Sequence, residues 1–60
     1  MNKMSLEEYK KQVADYLRTN ANYSTERIEA DFEEYEEAFP LYLEDGLSVS
    51  SMATMIYYGF

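Results

Sequence analysis

Apolar side chains recur three or four positions apart in three separate stretches of the 60-residue chain. This spacing places them on one side of an α-helix, whereas a half-buried strand would alternate apolar and polar residues. The three stripes consist of Leu6, Tyr9, Val13, Tyr16 and Leu17; of Ile28, Phe32, Tyr35 and Phe39; and of Val49, Met52, Ala53 and Ile56. The pattern therefore predicts an all-α fold built from three amphipathic helices.

A serine stands before each stripe, where a helix needs a side chain that accepts a hydrogen bond from its free amides. These serines are Ser5, Ser24 and Ser48. Gly46 and Gly59 favour the left-handed conformation that terminates helices, and Phe60 is placed to fold back on Met55. The signals predict helices over residues 6–19, 25–44 and 49–58.

Pro40 falls inside the second predicted helix, where it lacks the amide that continues the hydrogen-bond ladder. Tyr42 and Leu43 nevertheless continue the apolar stripe, so we expect this helix to be kinked or broken at Pro40. Short loops between three helices indicate one compact three-helix bundle over residues 1–60. The predicted core consists of Tyr9, Val13, Leu17, Ile28, Phe32, Tyr35, Phe39, Leu43, Met52, Ala53 and Ile56.

The net charge of −7 is distributed unevenly along the chain. Residues 1–23 carry four basic and three acidic side chains, a net +1, whereas residues 24–60 carry nine acidic side chains against Arg27 alone, a net −8. Nucleic acids and anionic lipids require a positive surface. We therefore expect neither direct nucleic-acid binding nor membrane binding.

His and Cys, two of the side chains that most often take part in catalysis, are absent from the sequence. Zinc sites and disulfides are thereby excluded. The serines have no accompanying base, and the carboxylates fall on polar helix faces where burial cannot tune their pKa values. We predict a non-enzymatic protein without cofactor or metal. With no secretory signal and no long apolar run, we expect it in the cytoplasm.

Carboxylates cover the polar side of the second predicted helix. A continuous helix would spread them over about 16 Å at 1.5 Å per residue. The candidate acidic face consists of Glu26, Glu29, Glu33, Glu36 and Glu37. It is open to three interpretations: a solvated face that maintains solubility, a nucleic-acid mimic that occupies the basic site of a nuclease or DNA-binding protein, or a docking surface for another basic protein.

A second candidate surface consists of apolar residues that lie outside the core-facing stripe of their predicted helices. Tyr and Met are enriched in the centres of protein interfaces, although single exposed aromatics are also common on ordinary surfaces. The candidate apolar patch, for a protein partner or for weak self-association, consists of Leu41, Tyr42, Met55 and Tyr58.

Three features carry a resemblance to a known class of proteins: the acidic, Tyr-rich middle helix, the turn Glu44-Asp45-Gly46-Leu47-Ser48, and the ending Tyr57-Tyr58-Gly59-Phe60. With them the chain resembles short acidic helical proteins of unknown function from phages and integrative elements of Gram-positive bacteria. The resemblance implies an accessory or host-interference role and supplies no functional residues. The leading hypothesis is a small protein-binding module with an unidentified partner. The alternatives are an acidic nucleic-acid mimic and a structural homodimer.

Overall fold

The computed structural model describes residues 4–59, and every regular element within them is helical. The all-α prediction is therefore confirmed for this part of the chain. The number of helices differs from the prediction, because the second predicted helix is divided in two. The four helices are α1 (Leu6–Ala21), α2 (Thr25–Glu34), α3 (Ala38–Glu44) and α4 (Val49–Tyr58).

The starts of α1, α2 and α4 follow the three predicted serine caps. Ser5, Ser24 and Ser48 each adopt an extended backbone conformation, and each hydroxyl accepts a hydrogen bond from the amide three residues on. These bonds satisfy amides that have no partner inside the helix. The donors are the amides of Glu8, Arg27 and Ser51, at 3.1, 3.1 and 3.2 Å from the serine oxygens.

The helix predicted over residues 25–44 is interrupted before Pro40 and not at it. The α2 helix ends at Glu34, Tyr35 leaves helical geometry at φ −100°, and α3 begins at Ala38. Pro40 is thus in the first turn of α3, where a missing amide leaves no helical hydrogen bond unmade. Further along a helix, its ring would clash with the carbonyl of Glu36. A break upstream of the proline avoids this clash.

Gly46 ends α3 and redirects the chain into α4. Its φ of +82° lies in the left-handed region that favours glycine. The Leu47 amide donates to the Tyr42 carbonyl at 2.9 Å, and the Gly46 amide donates to the Leu43 carbonyl at 3.1 Å. This pair of bonds is the Schellman arrangement, which satisfies the last carbonyls of the helix.

Two other helices also end at a left-handed residue. The α1 helix extends to Ala21, two residues beyond the predicted end, and Asn22 follows it at φ +59°. Asn is the non-glycine residue that tolerates this region most readily. Gly59 ends α4 at φ +79°, as predicted. The predicted contact of Phe60 with Met55 lies outside the described residues.

The core forms around α1, which packs most extensively against α4 and also contacts α3 and α2. Most of the predicted core is buried. Phe32, Tyr35 and Leu43 are instead half-buried at the edge of the core. The break at residues 35–37 interrupts the helical periodicity, so the apolar residues of α2 and those of α3 do not lie on one continuous face. Two further residues, Ala14 and Tyr23, join the core. The buried residues are Tyr9, Val13, Ala14, Leu17, Tyr23, Ile28, Phe39, Met52, Ala53 and Ile56.

Phe39 lies at the centre of this packing and is fully buried. Its ring meets that of Tyr9 edge-on at 6.2 Å between centroids and that of Phe32 at 4.7 Å. The Tyr9 hydroxyl donates to the Leu47 carbonyl at 2.9 Å. Through these contacts, α1 holds the short helix α3 and the turn that leads into α4.

Replacing Ser48 with alanine should lower the free energy of unfolding by about 1 kcal/mol, because the Ser51 amide loses its capping oxygen. Urea unfolding followed by circular dichroism measures the loss. Ser50→Ala is the matched control, since the Ser50 hydroxyl lies 3.3 Å from that of Ser48 but takes no part in the capping bond from the Ser51 amide. Equal stability of the Ser48→Ala variant and the wild type would show that the cap does not stabilise α4.

Candidate interaction surfaces

All five residues of the predicted acidic face are exposed. The continuous helical face from Glu26 to Glu37 is not formed, however, and this part of the prediction is wrong. Glu26, Glu29 and Glu33 lie on α2, whereas Glu36 and Glu37 lie in the turn between α2 and α3. The interruption upstream of Pro40 separates the two groups.

Carboxylates from both groups nevertheless line one shallow groove of about 540 Å³ beside α2. Lys10 of α1 reaches the same groove, and its ammonium lies 5.6 Å from the centroid of the Phe39 ring. The groove therefore contains a cation as well as carboxylates. Its lining consists of Lys10, Glu26, Ile28, Glu29, Ala30, Phe32, Glu33 and Glu36.

Two of the other acidic residues are paired with arginines. Arg18 contacts Asp15 at 3.5 Å on α1, and Arg27 contacts Asp31 at 3.7 Å on α2. These are the ion pairs within residues 4–59, so none of the five carboxylates of the acidic face is neutralised by one there. The acidic face retains its negative charge.

The four residues of the predicted apolar patch lie on two helices. Leu41 is 62% exposed and Tyr58 63%, whereas Tyr42 and Met55 are half-buried. Leu41 and Tyr42 belong to α3, and Tyr58 lies at the far end of α4 in a groove that α4 forms with α1. Neither Leu41 nor Tyr42 lines that groove, so the structure does not unite the four residues around Tyr58.

Tyr58 instead shares its groove with Tyr16 and Tyr57, two residues that the sequence did not single out as functional. Tyr16 is 37% exposed and Tyr57 53%. Each stands at the edge of the apolar stripe of its own helix, and the packing of α1 against α4 joins the two edges. We call this groove, which has a volume of about 280 Å³, the tyrosine groove. It is lined by Tyr16, Leu17, Asn20, Ala21, Ala53, Thr54, Tyr57 and Tyr58.

The aromatic rings of the groove contact one another and the core. The Tyr57 ring lies 5.1 Å from that of Tyr58 in an edge-on arrangement and 6.3 Å from that of the buried Tyr23. The guanidinium of Arg27 covers the Tyr23 ring at 4.4 Å, and one of its nitrogens donates to the Tyr23 hydroxyl at 3.3 Å. These contacts hold Tyr57 at the boundary between core and surface.

Half of the lining of the tyrosine groove comes from α4, in the part of the chain that carries no charge. Residues 46–60, which include all of α4, contain no Asp, Glu, Lys or Arg, although 28% of the whole chain is charged. The centres of protein interfaces are depleted in charged residues and enriched in Tyr. The exposed residues of α4 are Ser50, Ser51, Thr54, Tyr57 and Tyr58.

No family model, curated protein or solved structure matches this chain. Its candidate surfaces therefore have to be interpreted from their own chemistry. Within the described residues, no helix is long and apolar enough to cross a membrane. Residues 4–59 also contain no cluster of three or more carboxylates arranged to hold a metal ion.

Proposed function

We propose that this chain is a small, non-enzymatic protein-binding module and that the tyrosine groove is its contact surface. One observation carries the proposal: three exposed tyrosines converge on the charge-free helix of a chain whose net charge is −7. A tyrosine buries a large apolar ring on binding while its hydroxyl remains available for a hydrogen bond. Such side chains supply contact area with few rotatable bonds to immobilise.

The resemblance to short acidic proteins of phages and integrative elements supports an accessory or host-interference role in the cytoplasm. A host-interference protein can act by occupying a surface of another protein. Such a role requires no catalytic group, which agrees with a sequence that has neither His nor Cys.

A nucleic-acid mimic is the second candidate function. It is favoured by four exposed carboxylates that line one groove, Glu26, Glu29, Glu33 and Glu36. Mimicry depends on carboxylates that occupy the positions of phosphates on a basic partner, so its affinity is dominated by charge. The ammonium of Lys10 in the same groove weakens this field. The tyrosine groove is for this reason the stronger candidate.

Thr54→Glu should reduce partner recovery at least about tenfold in co-purification from the cells that produce the protein. Thr54 lies in the tyrosine groove, and a partner that covers it would bury an unpaired carboxylate. The matched control is Thr19→Glu, which makes the same change at an exposed position of α1 outside the groove lining. The bound proteins are identified by mass spectrometry, and circular dichroism checks that both variants remain helical.

The second variant pair tests mimicry in the same experiment. Glu29, Glu33, Glu36 and Glu37 are replaced by Gln; in the control, Glu7, Glu8 and Glu44 become Gln and Asp45 becomes Asn, which removes the same charge elsewhere. Recovery of a partner bound at the tyrosine groove should be unchanged by both sets of substitutions. It should also be unchanged when salt rises from about 50 to about 500 mM, because the contact is not ionic.

A partner released by salt and lost only with the first four substitutions would establish the mimic and overturn the tyrosine groove as the contact surface. A co-purified partner that is recovered equally with Thr54→Glu and Thr19→Glu would also contradict the tyrosine groove as its contact surface.

A further inference from the structure

We infer that the partner of the tyrosine groove is a second copy of this chain, paired through α4 in antiparallel orientation. The inference rests on the proposed function, since it requires the groove to be a protein-binding surface. It adds the identity and the geometry of the bound protein. The evidence is the distribution of side-chain size and charge along the exposed side of α4.

The exposed side chains of α4 increase in size from the start of the helix to its end. Ser50 and Ser51 lie in the first turn, Thr54 in the middle, and Tyr57 and Tyr58 in the last turn. All five are exposed. At about 100° per residue, the five positions fall within about 120° of one another, so they lie on one side of the helix. The two ends of this side therefore differ in bulk, with Thr54 at the midpoint.

An antiparallel pair of such helices is self-complementary. Closed homodimers are related by a two-fold axis, so a residue at a given distance after the centre faces the residue at the same distance before the centre in the other copy. With the axis at Thr54, Tyr57 faces Ser51 of the second copy, and Tyr58 faces Ser50. Large rings then lie against small side chains in all four pairings, which permits the helices to approach closely. The Ser51 hydroxyl is also a potential partner for the Tyr57 hydroxyl.

Electrostatic repulsion opposes a second copy least when it binds at α4. Two chains of net charge −7 repel each other wherever their carboxylates meet, as on α2 and the turn at residues 35–37. Residues 46–60 carry no charge, so pairing through α4 places uncharged surface at the centre of the contact. Dissolved salt screens the remaining repulsion between the copies. Association should therefore strengthen as salt is added.

The area of the contact indicates a weak dimer. A standard interface covers about 800 Å² of each partner, which would be close to a fifth of the 4420 Å² surface of this chain. A ten-residue helix is only about 15 Å long, so pairing along α4 covers less than that even with Tyr16 and Asn20 at its margin. We expect a dissociation constant on the order of 100 µM.

Sedimentation of the full chain from about 10 µM to about 1 mM tests the dimer. The average mass should rise from that of one chain toward that of two, and it should rise at lower concentration when salt is added. Thr54→Glu places two like charges at the two-fold axis and should abolish association, whereas Thr19→Glu should retain it. A wild type that stays monomeric at about 1 mM overturns the inference.

A mixture of two variants tests the geometry. Tyr58→Ser leaves two small residues facing each other, and Ser50→Tyr leaves two large ones, so each variant alone should associate at least about tenfold more weakly than the wild type. In an equimolar mixture, position 58 of each chain faces position 50 of the other with one large and one small side chain. Heterodimers should therefore form with near wild-type affinity, as measured by native mass spectrometry.

The mixture also separates the inference from the proposed function. A mixture that associates no better than its components overturns the antiparallel pairing. In that case, the groove remains a protein-binding surface if a different protein is recovered with the wild type and lost with Thr54→Glu. Its occupant is then that protein and not a second copy. If Thr54→Glu changes neither association nor co-purification, both the inference and the proposed function fail.

Discussion

Replacing Phe39 with alanine should remove about 3–5 kcal/mol from the free energy of unfolding, the largest loss that we expect from a single substitution in this chain. Phe39 is fully buried, and its ring contacts those of Tyr9 and Phe32. At about 0.05–0.15 kcal/mol per residue, a domain of 60 residues has roughly 3–9 kcal/mol in total. The loss is therefore a large part of the total, and the variant should unfold at a much lower urea concentration than the wild type.

The size of this effect follows from the position of Phe39 on α3. This helix has seven residues, too few to persist without tertiary contacts. Phe39 is its one fully buried side chain among the described residues, and it attaches α3 to α1. Losing the ring leaves a cavity between Tyr9 and Phe32 and also detaches the helix that leads into α4.

Urea unfolding followed by circular dichroism measures the loss, with Leu41→Ala as the matched control on the same helix. Leu41 is 62% exposed, and its truncation should change stability by about 0.5 kcal/mol or less. Similar losses for Phe39→Ala and Leu41→Ala would contradict the arrangement of α3 described above.

Tyr9→Phe should lower the free energy of unfolding by about 1–3 kcal/mol, although the ring remains in place. The Tyr9 hydroxyl donates to the Leu47 carbonyl at 2.9 Å, and this bond connects α1 to the turn between α3 and α4. Removing the donor leaves a carbonyl without its partner in a partly buried position. Tyr16→Phe on the exposed part of α1 is the control and should have almost no effect. Equal stability of the Tyr9→Phe variant and the wild type would show that the bond contributes nothing.

Tyr9 should also make stability depend on alkaline pH. Burial raises the pKa of its hydroxyl above the usual value of about 10, because the charged phenolate loses solvation in the core. Below pH 10 or so, the hydroxyl is neutral in both the folded and unfolded states, and its contribution is fully present. Above it, the unfolded state ionises first, so stability falls as pH rises through the folded pKa.

The pKa of Tyr35 is raised as well, first by burial and then by the nearby charges of Glu34 and Asp31. It should add to the alkaline loss of stability in the same direction. Thermal unfolding between about pH 8 and about pH 11 compares wild type with Tyr9→Phe. The variant should lose less stability than the wild type over this range. The loss that remains should be the part due to Tyr35. Parallel curves for the two proteins would contradict the role assigned to Tyr9.

Local chemistry explains why three of the four helix starts could be predicted from sequence. The hydroxyls of Ser5, Ser24 and Ser48 bond amides only three residues away, so these caps depend on little beyond the neighbouring chain. Helical spacing likewise indicated which sides of α1 and α4 face inward. Exposure of the acidic residues followed in the same way, since uncompensated burial of so many charges is unfavourable.

The break at residues 35–37 was harder to place, because Pro40 permits more than one local solution. A proline is excluded from a helix interior but accepted in a first turn, so its presence alone leaves the position of the interruption open. Packing of Phe39 against Tyr9 selects a helix that begins at Ala38. That choice moved Glu36 and Glu37 off α2 and reduced the burial of Phe32.

The tyrosine groove depended on tertiary structure altogether. Tyr16 and Tyr57 are far apart in sequence, and each by itself is an ordinary aromatic residue at the edge of an apolar stripe. Only the packing of α1 against α4 brings them to one surface with Tyr58. The sequence by itself determined that residues 46–60 carry no charge, because charge is a property of the residues alone. Which tyrosines surround that uncharged helix was decided by helix packing, because contact between distant segments depends on how whole helix faces fit together.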